Sequence, residues 1–393
     1  MPEALPPHLP LLSTSARWRG LAAAISTITA VGIALGLGLP LLSLLLEQRG
    51  ISPAWTGINT AFAGIASVAV TPFVTPLAKR VGTARLAFWM VIVSALCFYL
   101  FYVIEAFWAW FPLRIVFHGA VTATFVLSEF WINALAPAGR RGLVMGIYAT
   151  ILSLGFVAGP VMFAAIGSLG ALPFAIGTAI LFLAALPVLL ARDTSPPLDG
   201  GHDRPFIRFF LIAPMATLAG FVFGSVESGA MSLLPIYGVH IGLEPGNAAL
   251  LVSAFVGGNV LMQVPLGLLA DRFERRQLLA LCALVGLFGA LAIPFMGNSL
   301  PALSILLVAW GGIIAGLYTI GLTHLGARFT GANLASANAA FAMMYSLGML
   351  AGPLAMGAAL DTGYPPAMPW TIAGFFVLYL VVAYRRMYKP EGV

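Results

Sequence analysis

Five side chains that can carry a charge lie inside long apolar stretches of the sequence: Arg114, His118, Glu129, Glu227 and, near the end of its stretch, His324. Ionisable groups in such stretches are costly, and they usually pair with one another, bind a ligand or exchange protons. Glutamate and histidine can gain and lose a proton during a functional cycle, whereas arginine stays charged and can hold an acidic group. We therefore predict a proton-coupling site at Glu129, Glu227 and His118, with Arg114 as a substrate contact or a counter-ion.

Three of these residues share one face of a predicted helix. Positions four and eleven residues apart differ in direction by about 40° and about 20°, so Arg114, His118 and Glu129 form one stripe. Glu129 lies roughly 22 Å along the helix from Arg114, at 1.5 Å per residue. Thr122 and Phe125 fall on the same stripe and are candidate substrate contacts. Such a stripe should face a cavity or a neighbouring helix, because lipid cannot solvate polar groups.

Other polar residues inside apolar stretches could bind substrate or join helices. They are Asn59, Asn133, Asn259, Gln263, Asn338 and Tyr345, of which Asn133 is counted with the candidate substrate contacts.

The composition excludes most classes of soluble protein. Charged residues make up 8% of the 393 residues, against about 25% in a typical soluble domain. Hydrophobic residues make up 61%, and the mean hydropathy is +1.00. A soluble enzyme, a nucleic-acid-binding protein and a disordered chain are therefore all excluded. Cys97 and Cys282 lie within apolar runs and are predicted to form neither a disulfide bond nor a metal site.

The apolar runs predict an all-α membrane protein with twelve transmembrane helices, since about 20 apolar residues cross a bilayer. The predicted spans are 18–46, 54–78, 86–105, 109–135, 143–166, 172–191, 207–236, 247–270, 277–296, 301–325, 333–358 and 368–386. All but two of the 19 lysine and arginine residues then fall at one side, the exceptions being Arg49 and Arg114. The positive-inside rule places that side, with both termini, in the cytoplasm. We expect the protein in the inner (cytoplasmic) membrane.

The second half of the sequence repeats features of the first. Ser-Leu-Gly-x-x-Ala-Gly-Pro occurs at 153–160 and again at 346–353, an offset of 193 residues (353 − 160). Repeats at half the chain length indicate two similar bundles. We predict six-helix bundles at 1–191 and 207–393, joined by a cytoplasmic linker at 192–206.

A loop motif follows the second helix of each half. In the second half it runs from Gly267 to Arg276 as GLLADRFERR, and in the first half Lys79 stands where the second half has Asp271. Twelve spans in two repeated halves with this motif resemble the major facilitator superfamily, whose loop pattern is G-x-x-x-D-R-x-G-R-K. The resemblance implies a gating role for Lys79, Arg80, Gly82, Gly267, Asp271, Arg272, Arg275 and Arg276. Our hypothesis is that Asp271 contacts the start of helix 5, near 142–145, when the cytoplasmic side is closed.

A glycine and proline run in helix 5 is similar to the antiporter motif of the same superfamily, although Phe163 and Ala164 replace its last two glycines. Small residues four apart allow close helix packing, and proline permits a bend. Static packing and gating both remain open for this run and its repeat in helix 11. The residues concerned are Gly155, Gly159, Pro160, Gly352 and Pro353.

The resemblance implies a central cavity lined by helices 1, 4, 7 and 10, which adds Tyr318 in helix 10 to the candidate substrate contacts. The predicted function is proton-coupled antiport that exports a small amphipathic or drug-like molecule by alternating access. Proton-coupled uptake of a metabolite and transport of a lipid or lysolipid remain open. No nucleotide-binding loop or metal-ligand spacing is present in the sequence. We therefore expect no enzymatic activity, no cofactor and no nucleic-acid partner, but a monomer in the bilayer driven by the proton gradient.

Overall fold

The computed structural model describes residues 14–135, 141–167, 170–194, 209–329 and 331–387, and these form helices joined by short loops. The twelve main helices are α1 (Thr14–Gln48), α2 (Pro53–Val81), α3 (Thr83–Val103), α4 (Trp110–Leu135), α5 (Arg141–Ile166), α6 (Leu172–Leu190), α7 (Pro214–His240), α8 (Pro245–Arg272), α9 (Arg275–Ala292), α10 (Leu300–Arg328, interrupted at Ala315), α11 (Gly331–Leu360) and α12 (Ala367–Met387). Short helical turns occur at Phe107–Ala109, Arg192–Thr194, Phe209–Ile212 and Ile293–Met296. The prediction of an all-α protein with twelve helices is confirmed.

The helices have the length and composition of membrane spans. Within the described residues, eleven helices are long and apolar enough to cross a membrane, and α5 contains the shorter apolar stretch Thr150–Ile166. Because about 20 apolar residues suffice to cross a bilayer, the chain is a multi-pass membrane protein.

The start of α7 differs from the predicted position at residue 207. A single turn, Phe209–Ile212, comes first, and Ala213 then adopts φ −128° and ψ 57° before the helix begins at Pro214. Proline has a φ suited to the first helical turn and no N–H to satisfy there, so it marks a helix start. The hydrophobic run alone could not reveal this break. Most of the predicted linker 192–206 lies outside the described residues.

Two large hydrophobic cores form, one mainly among α1–α6 and the other mainly among α7–α12, which we call the N-terminal and C-terminal halves. A smaller third cluster joins α7, α10 and α11. We call the end of the bundle with the α1–α2 loop the outer end, because the charge distribution predicts that it faces away from the cytoplasm. The opposite end is the inner end. Leu39 of α1 belongs to the C-terminal core and Ala249 of α8 to the N-terminal core. Both residues lie in the outer parts of their helices, so the halves share packing there.

Small residues bring the first and fifth helices of each half into direct backbone contact. A Cβ atom on Gly159 of α5 would overlap the backbone of Gly36 in α1. At the repeat position in the C-terminal half, a Cβ atom on Gly352 of α11 would overlap the backbone of Ser225 in α7. Gly155 likewise lies against the α1 backbone. These contacts support the interpretation of the glycine run as close packing within a half, and a gating role stays a prediction.

A second set of contacts joins the two halves at the outer end. A Cβ atom on Gly57 of α2 would overlap the carbonyl of Pro353 in α11. A second contact between the halves joins α8 to α5, where the Ser253 hydroxyl donates a hydrogen bond of 2.9 Å to the Val157 carbonyl. The outer end of the space between the halves is therefore closed in this conformation.

Candidate functional site

A hydrogen-bonded carboxylate lies near the middle of α7. The Tyr345 hydroxyl of α11 donates to Glu227 Oε2 over 2.5 Å. The contact depends on the close approach of the two helices, because Gly224 lies directly against the carbonyl of Tyr345 and leaves no room for a side chain. The tyrosine fixes the orientation of a carboxylate that is only partly buried.

Aromatic rings surround this carboxylate on one side. The centroid of the Tyr318 ring is 5.6 Å from that of Phe223, 5.3 Å from that of Phe341 and 5.8 Å from that of Tyr345. Phe341 and Phe223 are buried, whereas 39% of the Tyr318 surface is exposed. We call Phe223, Tyr318, Phe341 and Tyr345 the aromatic wall. Tyr318 is the most exposed ring of this wall, and it packs against the other three.

A second carboxylate approaches the aromatic wall from the N-terminal half. Glu129 of α4 is exposed, and Tyr318 interacts electrostatically with both Glu129 and Glu227. The neighbouring Ser128 and Tyr148 hydroxyls are 2.8 Å apart, which joins α4 to α5 at this level. Tyr318 is therefore within electrostatic range of acids contributed by different halves of the protein.

Arg114 lies elsewhere, fully buried against α2. Its Nε donates to Asn59 Oδ1 over 3.0 Å, and its guanidinium lies over the Phe101 ring, 5.6 Å from the ring centroid. The Nη1 and Nη2 atoms have no hydrogen-bond partner within the described part of the chain, and no ion pair there joins Arg114 to Glu129 or Glu227. A buried cation without a counter-charge is unfavourable. In this conformation the predicted substrate contact is closed off and unsatisfied.

His118 lies one turn further along α4, with Nδ1 3.3 Å from the Arg114 carbonyl. Its Nε2 is buried without a hydrogen-bond partner in the described ranges. The Thr122 hydroxyl is 2.8 Å from that of Ser67 in α2, and Phe125 packs against the N-terminal core. The predicted stripe is thus divided. Its outer part faces α2, whereas its inner end at Glu129 is exposed, and the side chain of Asn133 lies outside the described residues.

The loop motifs lie at the inner end. Lys79, Arg80 and Arg272 are exposed, and Gly82 ends α2 with a φ of 95°, a left-handed conformation that favours glycine. A Cβ atom on Gly267 would meet nothing within 4 Å.

The second-half motif continues into the start of α9 at Arg275 and Arg276. Glu274 caps this helix, its Oε2 accepting a hydrogen bond of 2.8 Å from the Gln277 N–H. The side chain of Asp271 and most of the side chains of its expected partner 142–145 lie outside the described residues, so their contact stays a prediction.

The structure also describes the prolines of the two repeated glycine and proline runs. Pro160 is buried in α5. Pro353 lies at the seam with α2, and it leaves the Met349 carbonyl without its helical donor. The Ser228 hydroxyl of α7 lies 3.4 Å from that carbonyl and donates to it.

An ion pair between the halves was not predicted from the sequence. His240 Nε2 at the end of α7 lies 2.7 Å from Glu47 Oε1 at the end of α1. The two residues are 193 positions apart, which is also the offset of the sequence repeat. Equivalent positions of the two halves therefore meet at the outer end, on the axis that relates them. The repeat offset contained this signal, but residues at the ends of spans were not compared.

We expect this pair to stabilise the closed outer end. Glu47→Gln should widen the distance distribution between spin labels at Ser52 and Thr362, which flank the α2–α11 seam, because one contact that joins the halves is lost. The charge-swapped double variant, Glu47→His with His240→Glu, should restore the narrow distribution.

The matched control is Arg49→Gln at the same end. The hydrogen bond of Arg49 to the Glu105 carbonyl and its contact with the Trp110 ring both lie within its own half. An equal widening in the control, or none in Glu47→Gln, would rule out a latch at this pair.

Comparison with known sequences gives a consistent result. The model described as Major Facilitator Superfamily matches residues 23–244 and 216–393. The uncharacterized MFS-type transporter YfkF of Bacillus subtilis (strain 168) is 26% identical over 344 residues, which cover 84% of this chain and 86% of the relative. The uncharacterized MFS-type transporter YcaD of Salmonella typhi is 23% identical over 353 residues, 88% of this chain and 90% of the relative.

Solved structures share the fold. A bacterial homolog of the human lysosomal transporter Spinster, in an inward-facing and unoccupied conformation, aligns with a TM-score of 0.77 at 16% identity, covering 95% of this chain and 96% of that chain. The nucleoside transporter NupG aligns with a TM-score of 0.77 at 14% identity, covering 96% of this chain and 100% of that chain. At such identities the likeness concerns the fold alone.

Proposed function

Because the chain belongs to the major facilitator superfamily of membrane transporters, we propose that it is a proton-coupled antiporter that exports a small amphipathic molecule. The observation that carries the proposal is Glu227, a hydrogen-bonded carboxylate at mid-depth beside the exposed Tyr318. Carboxylates at such positions in transporters commonly bind and release the coupling proton. The function has no enzymatic step.

The orientation follows from the distribution of cations. With the lysine- and arginine-rich ends in the cytoplasm, both termini are cytoplasmic and the protein lies in the inner membrane. The outer end is closed in this conformation, so the proposed route for substrate runs from the inner end. Substrate enters from the cytoplasm and reaches Glu227 and Tyr318 between the two halves.

Exchange at Glu227 couples the two fluxes. Substrate that enters from the cytoplasm displaces the proton held by Glu227, and the proton leaves to the cytoplasm. The halves then rock, the inner end closes and the outer end opens. Substrate leaves to the outside, a proton binds Glu227 from that side, and the protonated protein returns. Glu129 lies closer to the inner end and accepts the proton on its way out.

Arg114 takes part in the conformational change rather than in direct substrate binding. Its unpaired Nη atoms favour a state in which α2 moves away and water or an acidic group reaches the guanidinium. Because α2 and α4 both belong to the N-terminal half, this requires a movement of α2 relative to α4 within that half.

A flux assay in proteoliposomes with an imposed pH gradient and a panel of substrates tests this function. Protein inserted with its inner end outward should take up substrate into the lumen when the lumen is acidic, in exchange for protons. Collapse of the gradient with a protonophore should abolish accumulation. Flux that does not depend on the pH gradient would contradict the proposal. Net movement of substrate out of an acidic lumen, together with protons, would identify proton-coupled uptake instead.

A further inference from the structure

We propose that the transported molecule is a lipophilic organic cation, a positively charged group attached to an aromatic or aliphatic body. The inference takes its site from the proposed function and adds the chemical class of the substrate. Its basis is the combination of Glu227, Glu129 and the aromatic wall on the surface between the two halves.

The charges that face this surface are acidic. Glu129 and Glu227 belong to opposite halves, and both are within electrostatic range of Tyr318. Arg114, which lies well inside the apolar part of α4, is 0% exposed and is covered by α2. Two carboxylates that form no ion pair within the described residues produce a negative potential, which attracts cations and repels anions.

The cations of the inner rim are too distant to cancel this potential. Glu227 lies 13 residues from the start of α7, or about 20 Å along the helix. Lys79, Arg80 and Arg272 are exposed at the inner end. Charges in contact with solvent are largely screened beyond about 8 Å at physiological ionic strength. The rim arginines and lysine therefore leave the mid-depth site acidic.

The exposed ring beside these acids supplies the second element of cation recognition. A cation above the face of a tyrosine ring, within about 6 Å of its centroid, is attracted by the electron-rich face. Tyr318 is available for such a contact because 39% of its surface is exposed, and its ring packs against Phe223 and Phe341. An apolar group on the ligand would contact the same wall. The site therefore favours a cation with an apolar body over a small hydrated ion.

The geometry at Glu227 leaves one oxygen for the ligand. Tyr345 donates to Oε2, so Oε1 is the atom that can face a positive charge. A quaternary or phosphonium cation needs no hydrogen-bond donor in such a site, because the carboxylate and the ring face together supply the attraction.

Binding of tetraphenylphosphonium to the purified full-length protein tests the inference. Tetraphenylborate, an anion of the same shape and apolar surface, is the probe for charge. The wild type should bind tetraphenylphosphonium saturably, and an excess of tetraphenylborate should not displace it. Displacement by tetraphenylborate as effective as by unlabelled cation would overturn the inference, because apolar contact alone would then explain binding.

Two substitutions locate the site. Tyr318→Leu should weaken tetraphenylphosphonium binding about tenfold, and Glu227→Gln should weaken it further. The matched control is Tyr99→Leu on α3, a tyrosine with the same 39% exposure away from the site, and it should bind as the wild type does. Equal affinity of Tyr318→Leu and Tyr99→Leu would overturn the inference. Thermal unfolding of each variant shows whether it is folded, and Tyr318→Leu serves as the test if Glu227→Gln is not.

Failure of this inference can be distinguished from failure of the proposed function. Proton-coupled flux of a neutral or anionic compound that requires Glu227 would support the proposed antiport and contradict the proposal of a cationic substrate. Saturable binding of tetraphenylphosphonium at Tyr318, without any flux driven by a pH gradient, would retain the cation site and refute proton-coupled antiport.

Discussion

Glu227→Gln is expected to abolish substrate accumulation driven by a pH gradient, to the level of empty liposomes. Glutamine has nearly the same size, and its carbonyl oxygen can still accept the hydrogen bond from Tyr345. It cannot take up or release a proton, so the return of the empty protein no longer carries a proton across the membrane. Exchange of labelled for unlabelled substrate without a gradient should persist at raised substrate concentration, because rocking of the halves does not itself need the proton.

The control for this substitution is Glu244→Gln at the outer end. Glu244 is exposed, and loss of its charge should leave gradient-driven accumulation within about twofold of the wild type, as for most surface substitutions. Glu129→Gln should reduce accumulation less than Glu227→Gln if Glu129 only relays the proton. Unchanged coupling in both Glu129→Gln and Glu227→Gln would remove the proton mechanism.

Two glycine substitutions are expected to differ in effect, one shifting the balance between conformations and the other lowering the stability of the fold. Gly57→Ala places a methyl group against the Pro353 carbonyl, across the seam between the halves. Gly159→Ala places one against the Gly36 backbone, within the N-terminal half. The first should favour the outward-open state without unfolding the protein, whereas the second should destabilise the fold in every conformation. Overpacking of this kind costs about 1–3 kcal/mol.

Spin-label distances and thermal unfolding separate these effects. Gly57→Ala should widen the distance distribution between Ser52 and Thr362 and leave the unfolding temperature nearly unchanged. Gly159→Ala should lower the unfolding temperature by several degrees. Gly257→Ala is the control, because a Cβ atom there meets nothing within 4 Å, and alanine is about 1 kcal/mol better than glycine in a helix. A fall in unfolding temperature for Gly57→Ala as large as that for Gly159→Ala would contradict the assignment of the seam.

The number and positions of the helices could be predicted from the sequence because membrane spans are long apolar runs with their cations on one side. The start of α7 could not, because the chain from Phe209 to Pro214 is apolar throughout and its break depends on local backbone geometry. Hydrophobicity reports whether a segment enters the membrane, and it says little about where a helix turns within or beside it.

Periodicity located the polar face of α4 but not what that face contacts. Arg114, His118 and Thr122 do share a side, as predicted, and α2 covers it through Asn59 and Ser67. The partner of a residue depends on which helices are adjacent, and a single sequence does not encode adjacency in a readable pattern. Asn59 was singled out as a polar residue in a span, yet nothing in its spacing linked it to Arg114.

The sequence located only part of the candidate site at Glu227, because it does not show which helices are adjacent. Glu227, Tyr318 and Tyr345 were each identified separately as polar residues in spans. Their convergence depends on the contacts of α7 with α10 and α11, and the small size of Gly224 and Gly348 allows the close approach of α7 to α11. The role of each residue stays a prediction that the substitutions above test.

Proton release on substrate binding measures the proposed exchange at Glu227 directly. Purified protein in weakly buffered solution, monitored with a pH indicator, should acidify the medium when a transported substrate is added, and Glu227→Gln should give no signal although the substrate still binds at raised concentration. The release should disappear at high pH, where the site is already empty of protons. Saturable substrate binding to the wild type without proton release at any pH would contradict proton-coupled antiport at this site.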